Sequence, residues 1–183
     1  MKTLRTDRLI LKVLDQSRAQ QVLAYYRRNQ VFLERWEPAR DNNFYTKDFQ
    51  RDNLKNELKK IKNDSMYRWW IYKIEDTSRV IGSIALNNII RGCFQSCFLG
   101  YKLDKDEINN GYMTEALTRI IYFAFHDLRL HRLEANIMPH NKPSLRVVEK
   151  LGFRKEGLAR KYLKINGKWE DHLCMVLLNE DLE

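Results

Sequence analysis

The stretch Asn109-Asn110-Gly111-Tyr112-Met113-Thr114-Glu115-Ala116 is a tight, glycine-containing turn between two strongly patterned segments. Residues 94–103 before it are apolar and alternating, as a strand requires. After it, Met113, Ala116, Leu117, Ile120, Ile121 and Ala124 recur at helical spacing. Strand, turn and helix start therefore meet at one point. A helix N-terminus leaves backbone N–H groups unpaired at the positive end of the helix dipole, so it favours a phosphate or pyrophosphate without any charged side chain. A plain strand-to-helix connection has the same local pattern, so the rest of the chain decides between the two.

Further along, Glu134-Ala135-Asn136-Ile137-Met138 is a second strand candidate. It is followed by Pro139-His140-Asn141-Lys142-Pro143-Ser144, an apolar-periodic run over residues 145–151, and Gly152-Phe153. Asn141 stands where a helix cap is wanted, Pro143 suits a first turn, and Gly152 suits the left-handed position past a last turn. Upstream, residues 6–13 read as a strand and residues 18–29 as a helix with Ala19, Val22, Leu23 and Tyr26 inward. Residues 46–62 form a second, highly charged helix whose simplest reading is a solvated face. Strands over residues 68–75, 80–87 and 94–103 form a meander. Residues 153–165 and 168–178 flank Asn166-Gly167, the strongest short hairpin signal a sequence offers.

No repeat, low-complexity run or Gly/Pro/Ser-rich linker interrupts the chain, so one domain over residues 1–183 is expected. Its 44% hydrophobic content suffices for a sizeable core. No apolar run approaches the roughly 20 residues a membrane span needs, and the N-terminal residues lack a secretory apolar segment, which points to the cytoplasm. Cys93, Cys97 and Cys174 are an odd count without paired metal-ligand spacing, so buried reduced thiols and no metal are expected. A net charge of +9 calls for an anionic partner.

Taken together, these fragments resemble the acetyl-CoA-binding core of the Gcn5-related N-acetyltransferase (GNAT) superfamily, and within it the Rim-type ribosomal-protein-alanine N-acetyltransferases. The resemblance covers nearly the whole chain. It runs through Leu4-Arg5-Thr6-Asp7-Arg8-Leu9-Ile10-Leu11, Phe32-Leu33-Glu34-Arg35-Trp36-Glu37-Pro38, Leu99-Gly100-Tyr101 and the Gly111 turn. It continues through His131-Arg132-Leu133, Pro139-His140-Asn141-Lys142, Leu151-Gly152-Phe153-Arg154-Lys155-Glu156-Gly157 and Asn166-Gly167-Lys168-Trp169-Glu170-Asp171-His172. It implies an α/β fold with a mixed, mostly antiparallel sheet of about seven strands and about four helices, split between two central strands to admit a pantetheine arm. It also implies acetyl-CoA as co-substrate, held by Tyr101, Leu103, Ile108, Asn109, Asn110, Gly111, Tyr112, Met113, Thr114, Asn141 and Lys142. One departure is Asp106-Glu107-Ile108-Asn109-Asn110-Gly111, where the family has Arg/Gln-x-x-Gly-x-Gly/Ala. Asn109 tolerates positive φ, whereas Asp106 and Glu107 would repel a pyrophosphate, so weaker coenzyme affinity is expected.

Acetyl transfer to an amine requires a deprotonated amine, a donor for the oxyanion and a proton for the leaving thiolate. The resemblance places the oxyanion donor on a backbone N–H near Tyr101 to Leu103. For the thiolate, the Asn-x-x-Ser spacing of Asn141 and Ser144 sets both on one face of a helix start, making Ser144 the first candidate and Tyr162 the second. A serine there also serves as a purely local hydrogen-bonder. On the acceptor side Glu37, Asp171 and His172 are candidates for base or substrate contact, and Trp36 is either a pocket wall or core packing. An α-amine, with a pKa of about 7.7 to 8.0, suits a site without an obvious base better than lysine does. Branch resemblance points to the N-terminal alanine or serine of a ribosomal protein, with ribosomal RNA contact and a monomer or homodimer. The alternatives are a polyamine or antibiotic acceptor, and a non-catalytic ribosome- or RNA-binding assembly factor.

Overall fold

The computed structural model describes residues 3–182. Twelve elements follow in chain order: β1 (Leu4–Arg5), β2 (Leu9–Lys12), α1 (Ala19–Glu34), α2 (Lys47–Lys62), β3 (Tyr67–Lys73), β4 (Gly82–Ile90), β5 (Ser96–Leu103), α3 (Tyr112–Tyr122), β6 (Arg132–Ile137), α4 (Lys142–Lys150), β7 (Arg154–Ile165) and β8 (Lys168–Leu178). The strands form one sheet in the order β1-β2-β3-β4-β5-β6-β8-β7. Every pairing is antiparallel except β5 with β6, and that parallel ladder is confined to Ser96, Cys97 and Phe98 opposite Arg132, Leu133 and Glu134. Beyond Phe98 the two strands carry no ladder between them, which opens the sheet at its centre.

Two cores sandwich the sheet. Trp69 and Ile71 face one, with α3 and α4, while Trp70 and Tyr72 face the other, with Val22, Tyr25 and Tyr26 of α1 and Leu54 of α2. β3 is therefore buried on both faces, which is why its sequence is continuously bulky instead of alternating. Burial of one such large side chain stabilises the fold by about 1.5–3 kcal/mol.

The sheet has eight strands where about seven were expected. The strand expected over residues 6–13 is confined to β2, and the two-residue β1 just before it is the additional strand. β1 and β2 are separated because Thr6 and Arg8 turn out of the ladder toward Glu115 at the start of α3. Helix α1 also runs past the expected end at residue 29, since Leu33 reaches the core and Asn29 is buried with its amide donating to the Tyr25 carbonyl (3.0 Å) and accepting from Lys105 N (2.9 Å). Asn166 and Gly167 have φ of 43° and 83°, the left-handed pair a tight hairpin demands. The thiols divide three ways: Cys97 is buried, Cys174 half-buried, and Cys93, contrary to expectation, exposed in the β4–β5 turn.

Candidate active site

The Gly111 turn is built as its sequence suggests. Gly111, at φ 77°, is the N-cap of α3 and offers no side chain to its own helix. The first helical bond runs from Glu115 N to the Gly111 carbonyl (3.1 Å), leaving the N–H groups of Tyr112, Met113 and Thr114 without an intrahelical acceptor. Asn109 takes φ 64°, replacing a glycine as expected, and Ile108 is exposed beside it. The Met113 side chain lies in the core. Arg8, half-exposed, frames this opening: its guanidinium donates to the Asn110 carbonyl (3.0 Å) and to Glu115 (2.7 Å) and lies 4.6 Å from the Tyr112 ring centroid. Glu115 also accepts from Thr6 Oγ1 (2.5 Å) and Arg8 N (2.9 Å). The loop after β1 is thereby fixed to the mouth of the cradle.

The acids that the sequence sets against an anion are countered. Glu107 is buried and faces Lys73 Nζ at 3.3 Å, and Asp106 faces Arg79 at 3.5 Å. Asp104, wholly buried, accepts from Arg28 (2.7 Å) and Arg79 (3.0 Å) and caps the turn over residues 105–107. Part of the repulsion a pyrophosphate would meet is thus cancelled within the fold.

At the opening between β5 and β6, Tyr101 reaches from β5 to the first turn of α4. Its hydroxyl stands 2.7 Å from Ser144 Oγ and 3.0 Å from the Ser144 carbonyl, and burial pushes its pKa well up, so it remains a neutral phenol. Asn141 Oδ1 accepts from Ser144 N (3.3 Å), and Pro143 occupies the first turn, so the cap expected from sequence fixes Ser144 in place. Leu103 ends the strand against the core, its side chain 3.1 Å from where a Gly82 Cβ would stand.

Tyr162 does not join Ser144. Its hydroxyl accepts from Asn136 Nδ2 (3.1 Å), and on β6 Asn136 alternates with Leu133, Ala135 and Ile137, which pack with α3 and α4. Ser144 and Tyr162 therefore approach from opposite faces of the sheet. The Tyr162 ring lies 5.4 Å from that of His172, which is buried on β8 with Nδ1 3.0 Å from the Glu170 carbonyl. A carbonyl only accepts, so Nδ1 carries the proton, and burial lowers the His172 pKa so that the ring is neutral near pH 7. Asp171 accepts from Lys161 N (2.7 Å), which holds the β7 bulge.

Between the β6–α4 loop and the β7–β8 hairpin lies an open cleft of about 500 Å³ lined by Pro139, His140, Lys142, Lys168, Trp169, Glu170 and Asp171. Trp36 is half-buried with its ring 5.5 Å from that of His140, so it flanks the cleft and is no part of the cores. Glu37, beside it, pairs with Lys102 of β5 and with Arg40 (3.5 Å). Burial pushes the Glu37 carboxyl up, but the two cations prevail and hold it below the usual carboxylate range. It is therefore a fixed negative charge.

This arrangement has close counterparts. The family model described as an acetyltransferase (GNAT) domain matches residues 8–154. The chain belongs to the GNAT acetyltransferase family. It is 41% identical over 180 residues to Probable N-acetyltransferase YjcK of Bacillus subtilis (strain 168), covering 98% of this chain and 99% of that one. To the [ribosomal protein uS5]-alanine N-acetyltransferase of Escherichia coli (strain K12) it is 37% identical over 180 residues, covering 97% and 91%. The crystal structure of a ribosomal-protein-S5-alanine acetyltransferase from Vibrio fischeri superposes with a TM-score of 0.95 at 31% identity, covering all of both chains. This GNAT chain is thus an N-acetyltransferase on an eight-stranded α/β fold. Three residues at the site escaped the sequence reading: Arg8 and Thr6, which frame the cradle, and Lys102, which holds Glu37 ionised. Arg8 and Thr6 lie in the stretch after Leu4 that carries the family resemblance, the one signal that could have drawn notice to them.

Proposed function

We propose that the chain transfers an acetyl group from acetyl-CoA to the N-terminal α-amine, on alanine or serine, of a ribosomal protein in the cytoplasm. The observation that carries the amine's identity is the state of Glu37. A carboxylate held low by Lys102 and Arg40 has little affinity for a proton, so it is a poor base and a good partner for an ammonium. Such a site suits an amine already partly neutral near pH 7, which an α-amine is and a lysine is not. His172, neutral by burial, is a further group on that side able to accept a proton. The identity to the Escherichia coli enzyme over nearly the whole chain supports a ribosomal protein as acceptor.

The cradle suits the donor's pyrophosphate: three unpaired N–H groups, a glycine whose φ excludes most side chains, and Arg8 at its rim. The gap beyond Phe98 gives the pantetheine arm an extended backbone on each side, and Asn141 and Lys142 begin the helix on its far edge. A thioester is what the donor supplies when bound. The protein orients it between β5 and β6, offers backbone N–H groups near Tyr101 to Leu103 to the carbonyl oxygen, and offers the Ser144 hydroxyl to the departing sulfur. In the test, peptides beginning with alanine or serine are incubated with acetyl-CoA and the product mass is mapped. An acetylated α-amine is expected, and exclusive modification of lysine or of a polyamine would overturn the acceptor assignment.

A further inference from the structure

The β7–β8 hairpin carries a feature the reaction itself does not use. Arg160, Lys161 and Lys164 on β7 are exposed, and none forms an ion pair among the described residues. At the hairpin's tip the chain adds Lys168, whose side chain is 80% exposed despite Glu170 at 3.3 Å, and Trp169, 57% exposed. The β7 bulge between Ala159 and Leu163, with Lys161 at φ 47° and its N–H held by Asp171, interrupts strand alternation, so that Arg160 and Lys161 are both turned to solvent. Charged residues on an edge strand also discourage edge-to-edge aggregation. That account explains the cations but not an indole left in water beside them, at the mouth of the cleft.

We propose that this hairpin is a docking arm for single-stranded RNA, which it grips by phosphate contacts to Arg160, Lys161 and Lys164 and by a base stacked on Trp169. Cations interleaved with an exposed aromatic are the combination that single-stranded nucleic acid requires: charge for the backbone and a ring face for a base. The chain's excess of nine positive charges points the same way. Because the arm borders the acceptor cleft, it favours an acceptor N-terminus presented on RNA over the same N-terminus free in solution. This last step rests on the ribosomal-protein reading, whereas RNA binding does not.

The test uses the full-length protein and a fluorescent single-stranded RNA oligonucleotide, with affinity measured against salt. For the parent, affinity should fall steeply with salt. The Arg160→Glu/Lys164→Glu variant, whose residues lie outside the cleft lining, should bind at least 10-fold more weakly at 50 mM salt, with a salt slope shallower by about 1.4 for two lost single-strand contacts. Trp169→Ala should weaken binding about 5-fold or more with an unchanged slope, since stacking carries no charge. Acetylation of a free N-terminal peptide by the double charge variant should match the parent, and equal melting temperatures would show that both are folded. RNA affinity unaltered in the charge variant, or a hairpin that takes only an acidic peptide, overturns the proposal. A parent inactive on peptides but with the expected RNA behaviour overturns the acceptor assignment alone.

Discussion

The Tyr101 hydroxyl lies 2.7 Å from Ser144 Oγ and 3.0 Å from the Ser144 carbonyl, tying β5 to α4 across the one place where the sheet is open. One phenolic proton faces two acceptors. Given to the carbonyl, it leaves Ser144 to donate back to Tyr101; given to Oγ, it frees the serine proton to point into the gap. Tyr101 thereby decides which way Ser144 donates. Ser144→Ala should lower kcat by about 10²-fold or more with coenzyme affinity nearly intact, the signature of a lost proton donor at the leaving group. Tyr101→Phe should lower kcat less, and cost about 0.5–1.5 kcal/mol of stability for one hydrogen bond. Steady-state kinetics beside a urea titration separates the two, and full kcat in Ser144→Ala would move the role to Tyr162, which reaches the gap from the other face, or to solvent.

The cradle gives the second expectation. Acetyl-CoA at about 100 times its Kd should stabilise the parent by about 2.7 kcal/mol, seen as a raised Tm. Gly111→Asp should abolish that rise by adding a negative charge and a Cβ at φ 77°. Gly111→Ala separates these causes. The nearest atom to its Cβ is the Arg8 guanidinium at 3.5 Å, an ordinary contact, so only backbone strain remains. It should lower the Tm modestly and keep much of the ligand-induced shift. A parent whose Tm ignores millimolar acetyl-CoA would falsify the assignment of this turn.

Glu115 governs an acid limb of stability. Burial pushes its carboxyl up, but hydrogen bonds from Thr6 and Arg8 and the Arg8 charge outweigh that and hold it below the ordinary value. A carboxyl lower in the folded than in the unfolded state contributes fully above the unfolded value, about 4.3, and loses that contribution as pH falls through the folded value. Glu115→Gln should therefore be less stable than the parent at pH 7, and the difference should shrink below about pH 4. Urea midpoints from pH 3 to pH 7 measure it, and a difference that stays constant with pH would assign Glu115 a packing role only.

What could be read from the sequence follows the distance over which the chain's chemistry acts. Gly111, Asn109, Asn141 and the Asn166-Gly167 turn were legible because each is fixed by its own backbone within a few residues. The pairs that complete the site join residues far apart: Arg8 with Glu115 across 107 positions, Glu37 with Lys102 across 65, Tyr101 with Ser144 across 43. No periodicity reports such a pairing. Asp106 and Glu107 looked hostile to a pyrophosphate because their partners, Arg79 in the β3–β4 loop and Lys73 on β3, lie far from them in sequence. The two-residue β1 went unread, and residues 6–8 looked like strand, because Thr6 closes its turn by bonds with Leu9 and is anchored by Glu115, 109 positions away.

The acceptor side supplies the last expectation. If the attacking group is a neutral α-amine, kcat/KM for a peptide beginning with alanine should rise with pH through about 8, where that amine loses its proton. Glu37 should not appear in that profile, because its carboxyl is ionised well below the range. Glu37→Gln should raise KM for the peptide more than it lowers kcat, as expected of a group that attracts the ammonium and leaves the proton to others. Lys102→Met should act on Glu37 itself, since it leaves the half-buried carboxylate beside Arg40 alone. Both variants break this half-buried pair and should be less stable than the parent: Lys102→Met takes one of the two cations from Glu37, and Glu37→Gln leaves the Lys102 ammonium without its carboxylate. Peptide kinetics across pH 6 to 9, with thermal melts of both variants, read all of this. A limb on the acid side of pH 6.5 that vanishes in His172→Gln would instead make the buried histidine the base, and a larger fall in kcat than rise in KM for Glu37→Gln would put Glu37 in the proton transfer after all.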